Sequence, residues 1–168
     1  MGFVICIINF NFTEVMKRII ISFAFVLTAI CLRAGTPAQE IVNDYKDLKG
    51  ARYYLAKGAV MKVARPLMKS YSIAPLSHKV EEMSVLRVDK MKPDLQESFL
   101  IDLEKVLETY VYAGKSDSPH GVVDAYVHIA SPDVADELVV YNPELMALYS
   151  LIGEFTKEEL LKIQQPVE

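Results

Sequence analysis

The chain has 168 residues, of which 52% are hydrophobic, and its 18 basic and 22 acidic side chains give a formal net charge of −4 at pH 7. This acidic balance does not favour nucleic acid, whose phosphates attract basic surfaces. The length suits one domain of ordinary size with its own hydrophobic core.

The first element is an apolar segment of 14 residues, residues 19–32, that directly follows Lys17 and Arg18. As a helix it would extend about 21 Å, which is shorter than the bilayer core of roughly 30 Å. A basic start, an apolar stretch and small residues after it are typical of a secretory signal peptide. We therefore predict a signal peptide over residues 1–38, translation from Met16, and a periplasmic or secreted protein without a transmembrane span. An uncleaved membrane anchor is the alternative.

Cleavage of the signal peptide is predicted after Ala38, with Ala34 as the second candidate. Ala38 is preferred because Leu32 is a poor residue three positions before the bond that follows Ala34. A lipid anchor on Cys31 is not expected, because a bulky isoleucine precedes it where lipoprotein signals have a small residue. Cleavage would remove both cysteines, so the exported domain must fold without a disulfide.

Residues 39–168 are predicted to form a single domain with 15 basic and 21 acidic side chains. The charges are unevenly placed, since the segment from Lys49 to Lys79 has seven basic residues and no acidic one. Such a segment indicates either an interaction surface or a half of the domain that attracts the acidic half.

Apolar residues three or four apart predict helices, whereas aromatic and β-branched runs predict strands. Pro66 should kink or end the second helix, whose buried face is expected to consist of Val60, Val63 and Leu67. The elements predicted in the first half of the domain are a helix over 39–48, a strand over 51–56, a helix from residue 59 and a strand over 80–88.

The longest helix is predicted over residues 94–110, with Asp94 and Glu97 as a capping box. Its apolar stripe should pack on a sheet formed mainly by the residues that follow. The strands predicted there are residues 109–114, 122–130 and 137–141. Residues 142–153 have signals for both a helix and a strand, because Asn142 and Pro143 suit a helix start as well as a turn between strands.

The ending DELVVYNPELMALYSLIGEFTKEELLKI resembles the C-terminal part of a family of short exported bacterial proteins of unknown function, found mostly in the Bacteroidota. In that family, paired strands lead to a glycine and a capped final helix, which would be Gly153 and then Thr156 with Glu159 as a capping box. The similarity extends loosely over most of the domain and favours a strand at residues 142–153. It implies an α+β fold and a secreted or periplasmic setting, and it provides no activity or site.

These patterns together predict an α+β fold with a mainly antiparallel sheet of about five to six strands and helices packed on one face. A metal site at His120, Asp124 and His128 is not expected, because residues four apart in a strand lie about 13 Å apart. Nucleotide-binding and common metal motifs do not occur in the sequence, so no cofactor is predicted.

Ser116, Asp117, Ser118 and His120 are the residue types of a nucleophile, an orienting acid and a base. The same types are required by a turn, so a small hydrolase that uses the loop from Ser116 to His120 is only an alternative hypothesis. We predict no catalytic residue.

Lys62, Arg65 and Lys69 recur three and four residues apart, so they form one stripe on the second helix. A cationic stripe beside tyrosines can bind an anionic ligand or an acidic partner. We therefore expect a non-catalytic binding or interaction module, whose partner is an unidentified protein or an anionic component of the cell envelope. A solvated helix face, and thus a purely structural accessory protein, is the further alternative.

Overall fold

The structure is a computed structural model that describes residues 35–68 and 74–163. Most of the predicted signal peptide therefore lies outside the described residues. The elements are, in chain order, α1 (Pro37–Tyr45), β1 (Arg52–Lys57), α2 (Ala59–Met68), a 3₁₀ turn (Ala74–Leu76), β2 (Val80–Arg87), α3 (Pro93–Leu107), β3 (Val111–Ser118), β4 (Gly121–Ser131), β5 (Val134–Asn142), β6 (Ala147–Thr156) and α4 (Lys157–Ile163). No helix in these two ranges is long and apolar enough to cross a membrane.

The six strands form one antiparallel sheet in the order β1-β2-β6-β5-β4-β3. Strands β3 to β6 are joined by short turns, and β2 then pairs with β6 from the other side. A register shift between Tyr112 and Gly114 leaves Ala113 as an extra residue in β3. The predicted α+β class with an antiparallel sheet is confirmed.

The segment 142–153, for which the local signals disagreed, forms a turn followed by β6. Asn142 makes the turn, since its side-chain Oδ1 accepts a hydrogen bond from the Leu145 backbone N–H at 2.9 Å. Met146 has a positive φ of 45°, which a helix would not allow. The strand interpretation is therefore confirmed.

The two faces of the sheet are covered by different helices. Helices α1 and α3 pack on one face over a core that includes Phe99, Val139 and Leu148. Helices α2 and α4 lie on the opposite face, over a core that includes Leu151 and Phe155. The sequence suggested helices on one face only. A second layer of helices forms because β5 and β6 have apolar side chains on both faces of the sheet.

Helix α2 buries a different side from the one predicted. Met61 and Met68 are 1% and 3% exposed, whereas Val60 and Val63 are 56% and 72% exposed. The helix also continues for two residues beyond Pro66. The prediction was wrong because this helix has valines on one side and methionines on another, so either side could face the core. Methionine is unbranched and flexible, and it fills the irregular space next to the sheet.

The two predicted capping boxes have different outcomes. In α3 the N-cap is Lys92 and makes no side-chain cap bond, so the box at Asp94 and Glu97 is wrong; Pro93 starts the helix two residues earlier than that box requires. In α4 the box is formed. The Thr156 N–H donates to Glu159 Oε2 at 3.0 Å, and the Glu159 N–H donates to Thr156 Oγ1 at 3.4 Å.

Helix α1 contains the residue after which cleavage was predicted. Ala38 is 0% exposed, and its backbone N–H donates to the Tyr110 hydroxyl at 3.0 Å. The far end of α1 is tied to α3, since the Tyr45 hydroxyl donates to Asp102 Oδ2 at 2.8 Å. Burial and the neighbouring Asp102 carboxylate raise the pKa of Tyr45 to about 12. Ala38 is thus part of the domain core.

Candidate functional site

The part of the chain that the structure describes forms a trough on the α2/α4 face, with a cavity volume of 590 Å³. Helices α2 and α4 cover only part of this face, so the sheet between them forms the floor. The side chains that line the trough are mostly aliphatic or small and include Met68, Met83, Val111, Ala125, Leu138 and Leu160.

The strand registers arrange the floor as two rows that run across the sheet. At a strand spacing of about 4.8 Å, the part of each row from β2 to β3 extends about 19 Å. The first row is Tyr54, Val85, Tyr149, Val140, Ala125 and Gly114, and the second row is Ala56, Met83, Leu151, Leu138, Val127 and Val111. Neither row contains a charged side chain.

Small residues explain why the trough is open near β3. Ala113, Gly114 and Ala125 line the cavity at this end. A Cβ atom at Gly114 would have no heavy atom within 4 Å, so there is open space above the row. The floor is therefore deepest where side chains are smallest.

Polar side chains also line the trough, among them Ser116, Asp117, Ser118 and His120 of the alternative hydrolase site. Asn142 is 2% exposed, and its Nδ2 donates to the His120 carbonyl at 2.9 Å. Together with its bond to Leu145, this contact uses the Asn142 amide for the structure of the two turns. Lys115, Asp133 and Lys157 also contribute to the lining.

A charged cluster lies on β1 and β2, two residues along the strands from the first row and outside the residues that line the cavity. Arg52 Nη2 lies 2.6 and 2.7 Å from the two oxygens of Asp89, and Arg87 Nη2 lies 3.3 Å from Asp89 Oδ2. The hydrogen bond from Arg52 and the charge of Arg87 hold the pKa of Asp89 below its ordinary value. This cluster was not predicted from the sequence.

The structure separates the residues of the predicted basic stripe. Lys62 is exposed on α2, whereas Arg65 Nη2 donates to the Val80 carbonyl at 3.0 Å. Lys69 lies outside the described residues. Two other cations of the basic segment pair with acids of the domain, because Lys57 lies 2.5 Å from Glu82 and Lys79 lies 3.7 Å from Glu159. Ligand binding by the stripe stays a prediction.

The residues of the alternative hydrolase site form the end of a hairpin. Ser118 Oγ donates to the Gly121 carbonyl at 2.7 Å and accepts from the His120 backbone N–H at 3.2 Å. The Ser118 hydroxyl proton is thus directed to the backbone and not to the imidazole. Ser116 and Asp117 belong to β3. Catalysis by this segment stays an alternative hypothesis.

The three residues considered as metal ligands have separate partners. His128 Nδ1 lies 2.6 Å from Asp136 Oδ1, and Asp124 Oδ1 accepts a hydrogen bond from the Tyr112 hydroxyl at 3.1 Å. Within residues 35–68 and 74–163, no group of three or more His, Cys, Asp or Glu side chains could hold a metal ion.

A second polar cluster is sealed between α1 and the opposite face of the sheet. Glu137 is 0% exposed and accepts hydrogen bonds from the hydroxyls of Tyr110 and Ser150. Gln39 Nε2 donates to Ser150 Oγ at 2.8 Å and to Ser84 Oγ at 3.0 Å. Because its members are buried, this cluster joins α1 to the sheet and is not accessible to a ligand.

Comparisons of the chain with protein-family models, with curated proteins and with solved structures found no match. The trough is therefore described from its own geometry. Sequence reasoning missed it, although one signal was present: Ala113, Gly114 and Ala125 are small residues in strands that are otherwise rich in valine and tyrosine. A gap in side-chain size on one face of a sheet leaves space above it.

Proposed function

We propose that the protein is an exported, non-catalytic binding protein that holds a small hydrophobic molecule in the trough. The observation that carries this proposal is the 590 Å³ cavity with its two uncharged rows. Small-molecule sites in proteins have volumes of about 300–1,000 Å³ and are lined mainly by apolar side chains. The trough has these properties.

The distribution of polar groups supports binding over catalysis. General acids, bases and nucleophiles must lie within hydrogen-bond reach of the reacting atoms. The polar side chains in the two rows are the tyrosines Tyr54 and Tyr149. Ser118 and His120 also line the cavity, but the Ser118 hydroxyl donates to the Gly121 carbonyl and not to the imidazole. Burial of apolar ligand surface, at about 25 cal/mol per Å², is the interaction that such a floor provides.

Export is the second part of the proposal, and it is supported by Lys17, Arg18 and the apolar segment 19–32. The only cysteines of the chain, Cys6 and Cys31, lie in the segment that cleavage would remove. A domain without cysteine cannot form wrong disulfides in an oxidising compartment. Binding and export are independent claims and are tested separately.

The first prediction concerns a substitution that fills the trough. Ala125→Phe should place an aromatic ring over the floor next to Gly114 and weaken the binding of N-phenyl-1-naphthylamine, a neutral fluorescent probe, about tenfold. The reason is that losing the burial of about two methylene groups costs roughly 1.6 kcal/mol. A fluorescence titration measures the dissociation constant.

Val122→Phe is the matched control, because Val122 lies on the same strand, is 43% exposed and points to the opposite face. This variant should bind the probe as the wild type does. Equal affinity of both variants, or no saturable binding to the wild type, would contradict the proposal. Thermal melts show whether each variant is folded.

A further inference from the structure

Arg52 and Arg87 are direct neighbours across β1 and β2. Both side chains approach Asp89, which follows β2 by two residues. Arg52 makes the closer contact with both carboxylate oxygens, whereas Arg87 makes only one longer contact of 3.3 Å. Most of the five N–H donors of Arg87 are therefore not used by Asp89.

Strand geometry places these arginines beside the trough. Arg52 lies two residues before Tyr54 in β1, and Arg87 lies two residues after Val85 in β2. Tyr54 and Val85 are partners in the first row. Residues two apart in a strand point to the same face and lie about 7 Å apart. The guanidinium groups are thus on the trough side of the sheet, at the end that the helix α2 does not cover.

The charges of the cluster do not balance. Among residues 35–68 and 74–163, the two guanidinium groups share the single carboxylate of Asp89, which leaves one positive charge without an acidic partner there. The side chains of Arg52 and Arg87 are 37% and 28% exposed, so both are accessible in part. Their Nε atoms are buried and donate to no described residue. Unpaired N–H donors of a cation favour an additional oxyanion partner.

We propose that Arg52 and Arg87 bind the anionic head group of an amphiphile whose hydrocarbon chain lies in the trough. The proposal rests on the proposed function and specifies its ligand class. The ligand has two parts: an apolar chain that lies on the two rows, and a carboxylate or phosphate that the planar guanidinium pair recognises.

A purely structural role of the cluster makes a different prediction. If Arg52 and Arg87 only anchor β1 to the turn at Asp89, removing one of them lowers the stability of the domain and does not change which ligands it prefers. The two roles therefore differ in the ratio of affinities for charged and uncharged amphiphiles with the same chain.

The test uses competition with N-phenyl-1-naphthylamine by dodecanoate, dodecyl phosphate and uncharged 1-dodecanol. Wild-type protein should prefer the two anions. Arg87→Gln should weaken the binding of dodecanoate about tenfold, equal to about 1.4 kcal/mol, and leave the affinity for 1-dodecanol unchanged. Compared with Arg87→Gln, Arg87→Lys should restore part of the preference for anions. The anion whose affinity falls more in Arg87→Gln shows whether the natural head group is a carboxylate or a phosphate.

Lys90→Gln is the matched control, because it removes the same charge from an exposed residue of the turn next to Asp89. This variant should keep the preference for anions. Equal affinities of dodecanoate and 1-dodecanol in the wild type, or the same loss in Lys90→Gln as in Arg87→Gln, would overturn the head-group site while leaving the trough intact. No displacement by any of the three compounds would overturn the proposed function itself. If Arg87→Gln does not fold, Arg87→Lys and the wild-type preference decide.

Discussion

Glu137 is a carboxylate with no exposed surface and no cationic partner among the described residues. An ionised group that is removed from water must be compensated by hydrogen bonds. Tyr110 and Ser150 supply two of them, and Gln39 extends the cluster to α1. Burial and the Glu137 charge raise the pKa of Tyr110 well above its ordinary value, so this hydroxyl stays a donor at any physiological pH.

Tyr110→Phe removes one donor to Glu137 and the acceptor of the Ala38 N–H. We expect the free energy of unfolding to fall by about 1.5–3 kcal/mol, the range for hydrogen bonds to charged groups. Urea unfolding measures this change.

Tyr112→Phe is the control, since Tyr112 is 51% exposed and its hydroxyl bonds to Asp124 at the surface. Its effect should stay within about 0.5 kcal/mol. Equal losses in the two variants would mean that the buried cluster contributes nothing specific.

The Glu137 cluster could be predicted only in part from the residues around it in the sequence. The run ELVVY predicted β5 correctly, and alternation places Glu137 on the same face as Val139. Its partners Tyr110 and Ser150 are 27 and 13 residues away along the chain. No local pattern indicates that a carboxylate will be buried, because the donors that permit it come from β6 and from the connection between α3 and β3.

At the scale of elements, α4 is held by the capping box of Thr156 and Glu159 and by the contact of Lys79 with Glu159. Hydrogen bonds from Thr156 and the charge of Lys79 lower the pKa of Glu159 below its ordinary value of 4.5. A lowered pKa in the folded state means that the carboxylate stabilises the fold above the unfolded pKa. This contribution is lost as the pH falls through the folded pKa.

Thr156→Ala should lower the free energy of unfolding by about 1 kcal/mol at pH 7. Glu159→Ala should also lower the free energy of unfolding at pH 7. The difference in this free energy between the variant and the wild type should shrink as the pH falls below 4.5. Denaturation at several pH values measures both effects.

Glu158→Ala removes the same charge from the first turn of α4 without breaking the capping box, and should show the smaller loss. A pH-independent difference for Glu159→Ala would refute the assignment of the carboxylate as a cap.

A property of a helix was predictable where the residues of that helix determine it. It was not predictable where the elements packed against the helix determine it. The capping box of α4 is a local signal, and it was read correctly. The buried side of α2 was misread, because apolar residues occupy more than one side of this helix and only the shape of the sheet next to it selects Met61 and Met68. The trough depends on the same choice, since Met68 forms part of its wall.

At the scale of the whole molecule, the domain begins before the predicted cleavage site. A chain that starts at Gln39 lacks Pro37 and the buried Ala38, and it places a positive α-ammonium group at the N-terminus of α1, where the helix dipole disfavours it. If the chain is exported as we propose, we expect the cleaved protein to start at Gly35, by cleavage after Ala34.

Intact-mass measurement of the exported protein identifies its first residue. A chain starting at Gly35 should be more stable than one starting at Gln39 by roughly 1–3 kcal/mol, from one buried methyl group and one hydrogen bond. A native start at Gln39 together with equal stability of the two chains would contradict this expectation.

The fold class and the order of elements could be predicted from periodicity, turn residues and the resemblance of the C-terminal segment. The ligand site could not be, since a trough is a volume left by side chains from five strands and two helices. Two of the cationic residues that the sequence emphasised, Lys62 and Arg65, lie on α2. The pair beside the trough, Arg52 and Arg87, is 35 residues apart and meets only through the register of β1 and β2.

The extra residue Ala113 in β3 matters when many copies of the protein are close together. Both β1 and β3 are edge strands, and a regular edge can pair with the edge of another molecule and start aggregation. In β3 the bulge interrupts the even spacing of unpaired backbone groups. In β1 the terminal residues Arg52 and Lys57 place cations at both ends of the edge. A second molecule that approaches either edge therefore meets an irregular backbone or like charges, which favours separate molecules over stacked sheets.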